Sequence, residues 1–328
     1  MLALGLQGSP RKKGNTNFLL TTFLDALAAK GAATRLIHVP EKNIKPCQGC
    51  AFCEKKGYCT QQDDDMSREI YPLLRRADII LAASPMYFYN VTSQMKALID
   101  RSQALWSRRY KLGLIDPHSS SRTGVMLAVG ATKGKNLFNG THLTARYFFD
   151  AVSARFTEEM GYRRVEKPGD LSKLPQVASE VQTTADRLDR FFKREKILFL
   201  SGPNACRGKM AVAFSRHLAG DRVEALSAGI QPATAADPLM EKVMAEKGLD
   251  LFLRFPRPLE EALAEMKPDK IVTMGRGEDW PDLPGATVID WDIKDPAGKD
   301  ISVARQVRDE IEQKVRDLTG SRDVSHER

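Results

Sequence analysis

Short apolar runs rich in β-branched residues alternate along this chain with longer stretches whose apolar side chains recur every three to four positions. The runs predict strands at Leu2–Leu6, Thr34–Val39, Asp78–Ala83, Gly124–Val129 and, more weakly, Tyr162–Val165. The intervening periodicity predicts helices at 16–30, 66–76, 92–108, 141–154 and 172–193. Strands separated by helices of that length imply parallel βαβ units with right-handed crossovers, and five units make a doubly wound α/β sheet. The pattern then restarts after the charged stretch Lys193-Arg194-Glu195-Lys196. A strand at Ile197–Leu200 leads to a helix at Arg207–Leu218. Further strands are predicted at Val223–Leu226, Lys270–Met274 and Thr287–Asp290, and helices at 237–247, 258–265 and 301–318. The expected organisation is one α/β domain over 1–193, a second, smaller α/β domain over 196–320, and a polar tail at 321–328.

At 328 residues the chain exceeds the usual single core, which agrees with two domains. Its 42% apolar and 28% charged residues exclude a largely disordered or collagen-like chain. The longest apolar runs, such as Ile79-Ile80-Leu81-Ala82-Ala83, fall far short of a bilayer span. Met1-Leu2-Ala3-Leu4-Gly5-Leu6 has no basic region ahead of its apolar residues and reads as a buried strand, so a soluble cytoplasmic protein without membrane contact is expected. Charge is uneven: residues 1–193 hold 29 Lys and Arg against 18 Asp and Glu, and the remainder 21 against 24. The basic residues are scattered and not interleaved with aromatics, so anionic cofactors explain the excess better than nucleic acid.

The first strand ends in Gly8-Ser9-Pro10-Arg11-Lys12-Lys13-Gly14-Asn15-Thr16, ahead of a helix. Backbone N–H groups at a helix N-terminus, hydroxyls and a cation suit a phosphate there, although a plain polar turn has the same look. The third strand ends in Ser84-Pro85-Met86-Tyr87-Phe88-Tyr89-Asn90-Val91-Thr92, an aromatic wall at the sheet edge where open α/β folds bind ligands. Gly130-Ala131-Thr132 closes the same edge after the fourth strand.

With Lys96-Ala97-Leu98-Ile99-Asp100-Arg101 added, the chain over about residues 1–190 resembles the NAD(P)H-dependent FMN reductases of flavodoxin-like fold. The resemblance implies FMN, with Ser9, Arg11, Asn15 and Thr16 on its phosphate. Pro85, Met86, Tyr87, Phe88 and Asn90 would line the isoalloxazine, and Gly130 and Ala131 its other edge. NAD(P)H is the implied candidate donor, and a homo-oligomer, dimer or tetramer, is the implied assembly.

Four of the five cysteines crowd together as Cys47, Cys50, Cys53 and Cys59, in a C-x2-C-x2-C-x5-C string. Two successive short spacings let one loop present three thiolates to an iron–sulfur cluster, and the fourth follows a glycine turn. Zinc and redox thiols are the alternatives, since structural zinc prefers two pairs with a longer spacer. Asp63-Asp64-Asp65 reads as a solvated helix start, favoured by the helix dipole. The loop with its trailing Asp64, Asp65 and Met66 resembles that of the iron–sulfur flavoproteins. That resemblance implies a [4Fe-4S] cluster on the four cysteines and single-electron exchange with a redox protein or a small-molecule donor or acceptor.

The second domain opens Leu198-Phe199-Leu200-Ser201-Gly202-Pro203-Asn204-Ala205-Cys206-Arg207. With Leu226-Ser227-Ala228-Gly229, Val272-Thr273-Met274 and Trp291-Asp292-Ile293-Lys294-Asp295-Pro296 it resembles the low-molecular-weight tyrosine phosphatases and the arsenate reductases on that fold. In that family a Cys-x5-Arg loop wraps a tetrahedral oxyanion and an Asp-Pro aspartate is the general acid. Here the nucleophile position falls on Ser201, while Arg207 and Asp295 are kept; Ser201, Asn204, Arg207 and Asp295 are the candidates for the oxyanion loop. The extra thiols of arsenate reductases fall near Gly275 and Trp280, which carry none. A serine hydroxyl is far less acidic than a thiol, so a phosphate-like oxyanion is expected to bind without hydrolysis, and Cys206 to be structural. The leading expectation is an FMN and [4Fe-4S] oxidoreductase. The alternatives are an NAD(P)H:FMN or quinone reductase without a cluster, and a redox-linked sensor or docking protein for phosphate, arsenate or phosphotyrosine.

Overall fold

In the computed structural model, residues 1–275 and 285–321 are described. The chain forms two compact units, Met1–Gly113 with Ser121–Phe192, and Leu114–Ser120 with Lys193 onward.

In the first unit Leu2–Gln7 (β1) is buried along its whole length, as a central strand covered on both faces must be. Around it lie Ala33–His38 (β2), Ile79–Pro85 (β3), Thr123–Val129 (β4) and Arg155–Tyr162 (β5), all parallel, in the order β2-β1-β3-β4-β5. The helices are Asn15–Ala29 (α1), Phe52–Lys56 (α2), Tyr71–Arg76 (α3), Ser93–Arg101 (α4), Gln103–Tyr110 (α5), Asn139–Ala151 (α6) and Gln176–Arg187 (α7). On one face Leu19, Phe23 and Leu27 of α1 meet Val177 and Val181 of α7 over Ile79, Leu81, Val125 and Leu127. Each such side chain contributes roughly 1.5–3 kcal/mol when fully buried. The Phe149 ring lies so close to Gly124 that a Cβ there would stand 2.2 Å from it. The strand order reverses between β1 and β3, and the crevice outside the carboxyl ends of those strands is the ligand position of such sheets.

β5 lies about seven residues before the strand expected at Tyr162–Val165. It is an edge strand in which Arg155, Phe156, Thr157, Glu158 and Glu159 are exposed or half-buried, so no apolar run marks it.

The second unit repeats the plan with four parallel strands, Glu195–Ser201 (β6), Val223–Gly229 (β7), Lys270–Thr273 (β8) and Thr287–Asp290 (β9), in the order β7-β6-β8-β9. Its helices are Arg207–Ala219 (α8), Pro238–Ala245 (α9), Leu259–Glu265 (α10) and Ile301–Thr319 (α11). Met210, Phe214, Met240, Ile311 and Val315 join Phe199 and Trp291 in one core cluster. The segment Leu114–Ser120, expected to lie within a continuous first domain, is built into this unit. Its Ile115 pairs with Leu249, Asp116 accepts from Arg254 (3.0 Å), and His118 Nδ1 lies 3.0 Å from guanidinium nitrogens of both Arg216 and Arg254. Among the described residues no helix is long and apolar enough to cross a membrane. Trp280 and the tail beyond Ser321 lie outside the described residues.

Candidate functional sites

At the carboxyl edge of the first sheet two loops are bonded to each other. The Gly8 N–H donates to the Ala83 carbonyl (2.8 Å), and the Thr92 hydroxyl donates to the Gly8 carbonyl (2.7 Å) while capping α4 through the Met95 N–H (3.3 Å). A larger residue than Gly8 would crowd this junction, since a Cβ would stand 3.0 Å from the Ala83 oxygen and 3.1 Å from the Met95 Cβ. Within the loop Gln7 Oε1 accepts the Ser9 N–H (2.9 Å) and Ser9 Oγ accepts the Arg11 N–H (3.2 Å). Gln7 Nε2 is buried without a partner. The helix α1 opens on Gly14 with no side-chain cap, leaving the first-turn amides of Asn15 and Thr16 uncapped by it. Ser9 and Thr16 are buried and Arg11 is exposed.

Asn15 behaves differently from the other members of its set. Its side chain donates to the Lys167 carbonyl (2.8 Å) and accepts from the Gly169 and Leu171 N–H groups (3.1 and 3.2 Å). It ties the loop at 167–171 to α1, so only its backbone N–H faces the role expected of it.

After β3, Tyr87 and Asn90 exchange both backbone hydrogen bonds (2.8 and 3.0 Å), which makes Phe88 and Tyr89 the two central residues of a tight turn. Both have left-handed backbone, φ +48° and +62°, where glycine or asparagine is the usual choice. The turn holds Phe88 fully exposed. Asn90 Oδ1 accepts from the Thr144 hydroxyl (3.1 Å), and the Met86 sulfur accepts from Thr141 (3.1 Å). The Met86 N–H reaches the Val129 carbonyl (2.8 Å), bringing Pro85 and Met86 beside Gly130 and Ala131. Gly130 sits where a Cβ would be 2.5 Å from Leu137 and 3.3 Å from Met86.

Cys47, Cys50, Cys53 and Cys59 line a single cavity of about 380 Å³, together with Gln61, Arg101 and Ala104. Within the loop, residue 51 is left-handed (φ +53°), α2 follows, and Gly57 (φ +74°) ends it. The Cys50 thiol is held below its usual pKa by the Phe52 N–H and then by the Thr60 hydroxyl. Burial pushes Cys53 up, with the neighbouring Cys59 and Cys47 adding to it against the Ser107 hydroxyl. Among the described residues no three His, Cys, Asp or Glu side chains converge tightly enough for a single ion. Asp64, expected in a solvated helix start, is instead buried and paired with buried Arg101.

In the second unit the loop between β6 and α8 is pinned from outside. The carbonyls of Gly202, Pro203 and Ala205 accept from the N–H groups of Gln231, Ala233 and Asp237 (3.0, 2.9 and 3.1 Å). Because C=O and N–H point opposite ways in a trans peptide, the amides of Asn204 and Cys206 face away from that segment. Pro203 has no N–H to offer. Asn204 is left-handed (φ +48°), and both its Oδ1 and the Ser201 hydroxyl are buried without partners. Arg207 donates to the Met274 and Ile293 carbonyls (2.8 and 2.6 Å) and pairs with Asp295 (2.9 Å). Burial pushes the Cys206 thiol up to about 12, with the Asp237 and Asp295 charges adding to it.

Residues 1–145 match the NADPH-dependent FMN reductase family, and residues 196–281 the low molecular weight phosphotyrosine protein phosphatases. The chain is 37% identical over 133 residues to an iron–sulfur flavoprotein of Methanocaldococcus jannaschii, covering 40% of this chain and 64% of that one. It is 43% identical over 101 residues to an iron–sulfur flavoprotein of Archaeoglobus fulgidus, covering 31% and 45%. Over 128 residues it is 36% identical to a putative arsenate reductase of Halobacterium salinarum, covering 38% of this chain and 89% of that one. The fold and these matches define a flavodoxin-like domain joined to a phosphatase-type domain. In its first part the chain matches the FMN reductase family over residues 1–145 and is similar to iron–sulfur flavoproteins; in its second part it matches the low-molecular-weight phosphatase family and belongs with the arsenate reductases. It spans between about half and two thirds of the length of the flavoprotein relatives it matches.

Proposed function

We propose that the chain is an FMN- and [4Fe-4S]-dependent electron-transfer oxidoreductase whose second unit binds a phosphate-like oxyanion without turning it over. The observation that carries this reading is the cavity lined by all four clustered cysteines in a chain whose residues 1–145 match the FMN reductase family. When bound, FMN supplies a two-electron acceptor able to release electrons singly, and the cluster supplies a one-electron relay.

The residues fit both groups. For FMN, Gln7 Nε2 is a buried donor in want of an acceptor, on the side chain that holds Ser9. Ser9, Arg11, Thr16 and the α1 amides, that of Asn15 included, would hold the phosphate. Pro85, Met86, Tyr87, Phe88 and Asn90 would form the wall beside the ring system, with Gly130 and Ala131 along the other edge. For the cluster, Cys47, Cys50, Cys53 and Cys59 face one space of about 380 Å³, which suits a group of several atoms. The hydrogen bonds on Cys50 favour the thiolate that ligation needs. A redox protein or small molecule would exchange electrons at this unit, with NAD(P)H a candidate donor.

In the second unit the buried Ser201 hydroxyl and the Asn204 and Cys206 amides would surround an oxyanion, with Arg207 held by Asp295 at the helix start. Cys206, with its pKa raised to about 12, stays a thiol at neutral pH, and Ser201 is no substitute for a thiolate. The test is to purify the protein without oxygen and quantify iron, sulfide and FMN. About four irons and one FMN per chain are expected from a cubane held by four cysteine thiolates. FMN without iron would leave a cluster-free NAD(P)H-dependent reductase, and absence of both would overturn the proposal.

A further inference from the structure

We infer that the buried Arg101–Asp64 pair is a positioning clamp that fixes both ends of the cysteine loop and so turns its four thiols toward one cavity. The inference rests on the cluster reading above.

The guanidinium at the end of α4 donates through Nη1 to the Lys45 carbonyl (2.9 Å) and through Nη2 to the Gln61 carbonyl (3.0 Å). These residues flank the loop, two positions before Cys47 and two after Cys59. Asp64 faces the same fork, with Oδ1 3.3 Å from Nη2 and Oδ2 bonded to Nη1. The carboxylate also accepts the Lys45 N–H (3.1 Å) and the Ser67 N–H (3.1 Å). Each stem is therefore held at Arg101, and the first a second time at Asp64. The Ser67 hydroxyl adds a bond to the Gln61 carbonyl (2.7 Å).

Between the stems the only regular element is the five-residue α2, so the loop has little local structure of its own with which to hold its cysteines. Both charged side chains are at 0% exposure. Burying such a pair costs desolvation that the Coulomb attraction does not clearly exceed, which fits a role in position better than one in stability. The two terminal guanidinium nitrogens sit apart at fixed angles, so each takes one stem carbonyl and one carboxylate oxygen, whereas the three donors of an ammonium radiate from a single nitrogen. Arg101 itself lines the same cavity as the four cysteines, so the clamp that holds the loop also borders that space.

The test compares the full-length wild type with Arg101→Gln, Arg101→Lys and the milder Ser67→Ala. Two readouts are taken: iron and FMN per chain after anaerobic reconstitution, and the rate of tryptic cleavage after Lys55 and Lys56 in the metal-free chain. We expect Arg101→Gln to lose most of its iron while keeping FMN, and its loop to be cut about tenfold faster, as a locally opened segment would be. Arg101→Lys should recover little of the iron, and Ser67→Ala, which leaves the pair intact, should be cut only about twofold faster. Unchanged iron loading and unchanged cleavage in Arg101→Gln, with FMN retained, would overturn the clamp. Loss of FMN together with iron in Arg101→Gln, and unchanged cleavage in Ser67→Ala, would also overturn it by making the pair a general fold element. A wild type that takes up no iron, yet whose loop opens in Arg101→Gln, would sink the cluster reading while the clamp on the loop stood.

Discussion

In each unit the sheet's first strand in sequence leads through a loop to a helix, and each loop stands at the edge where parallel sheets bind anions, yet the two loops are held in different ways. In the first unit side chains do the holding: Gln7 takes Ser9, Ser9 takes Arg11, and Asn15 takes three groups of the segment 167–171. In the second unit the loop's own carbonyls are drawn outward to residues 231–237, and Arg207 is locked by Asp295 and two carbonyls. The first loop depends on side chains that can be replaced one by one. The second is a backbone cradle held by bonds that do not involve the Ser201 side chain, so its shape is expected to tolerate substitution there.

The largest break in that comparison is restoring the nucleophile. Ser201→Cys should raise aryl phosphate hydrolysis at least about a thousandfold over wild type, because a cradled thiol ionises and a serine hydroxyl does not. Phosphate release assayed near pH 6 checks this. Turnover by the wild type that disappears in Arg207→Ala would show that Ser201 already works.

Next comes binding without turnover. Phosphate or arsenate should raise the unfolding temperature of the second unit in the wild type, as any ligand of the native state does. Arg207→Ala should weaken that binding about 10- to 100-fold, the worth of a charge-assisted hydrogen bond. A thermal shift that persists in Arg207→Ala would move the anion site elsewhere.

The cysteines sharpen the contrast further. In the metal-free chain at pH 8, iodoacetamide should modify the exposed Cys50 and Cys47 and leave buried Cys206 untouched until unfolding. The folded Cys206 titrates near 12, above the 9.0 of an unperturbed thiol, so the native state keeps a proton that the unfolded chain loses. The stability it lends is therefore complete below about pH 9 and is lost as pH rises toward 12, by about 1.4 kcal/mol per unit at most. Urea unfolding of wild type and Cys206→Ala should show their difference narrowing in that window, and a constant difference would refute the assignment.

How far all this was legible varies with the kind of information a residue carries. β1, β3, β4 and β6 are buried on both faces, so unbroken apolar runs announced them within a residue or two. β5 is an edge strand with charged positions, and its pattern was invisible. The cysteine loop stood out through local spacing, and its four cysteines do line one cavity. Its clamp joins Asp64 to Arg101 across 37 positions, and nothing local distinguished Asp64 from its solvated neighbours Asp63 and Asp65. The excursion of Leu114–Ser120 into the second unit is likewise a matter of long-range partners, Leu249, Arg216 and Arg254, that no periodicity reports.

The smallest effect belongs to the turn after β3. Phe88 and Tyr89 both occupy left-handed backbone that costs a residue with a Cβ about 1 kcal/mol each, and the Phe88 ring regains nothing by burial in this chain. A turn selected for stability would carry Asn-Gly. Phe88→Gly should therefore stabilise the FMN-free protein by up to about 1 kcal/mol, read as a higher urea midpoint with unchanged slope. The same substitution removes part of the aromatic wall, so FMN should dissociate faster from Phe88→Gly than from wild type. Opposite signs in the two measurements would mean that backbone strain is kept in order to hold an aromatic ring where the flavin needs it. Equal or lower stability in Phe88→Gly would mean that the turn carries no strain, and the aromatic wall would lose its physical rationale.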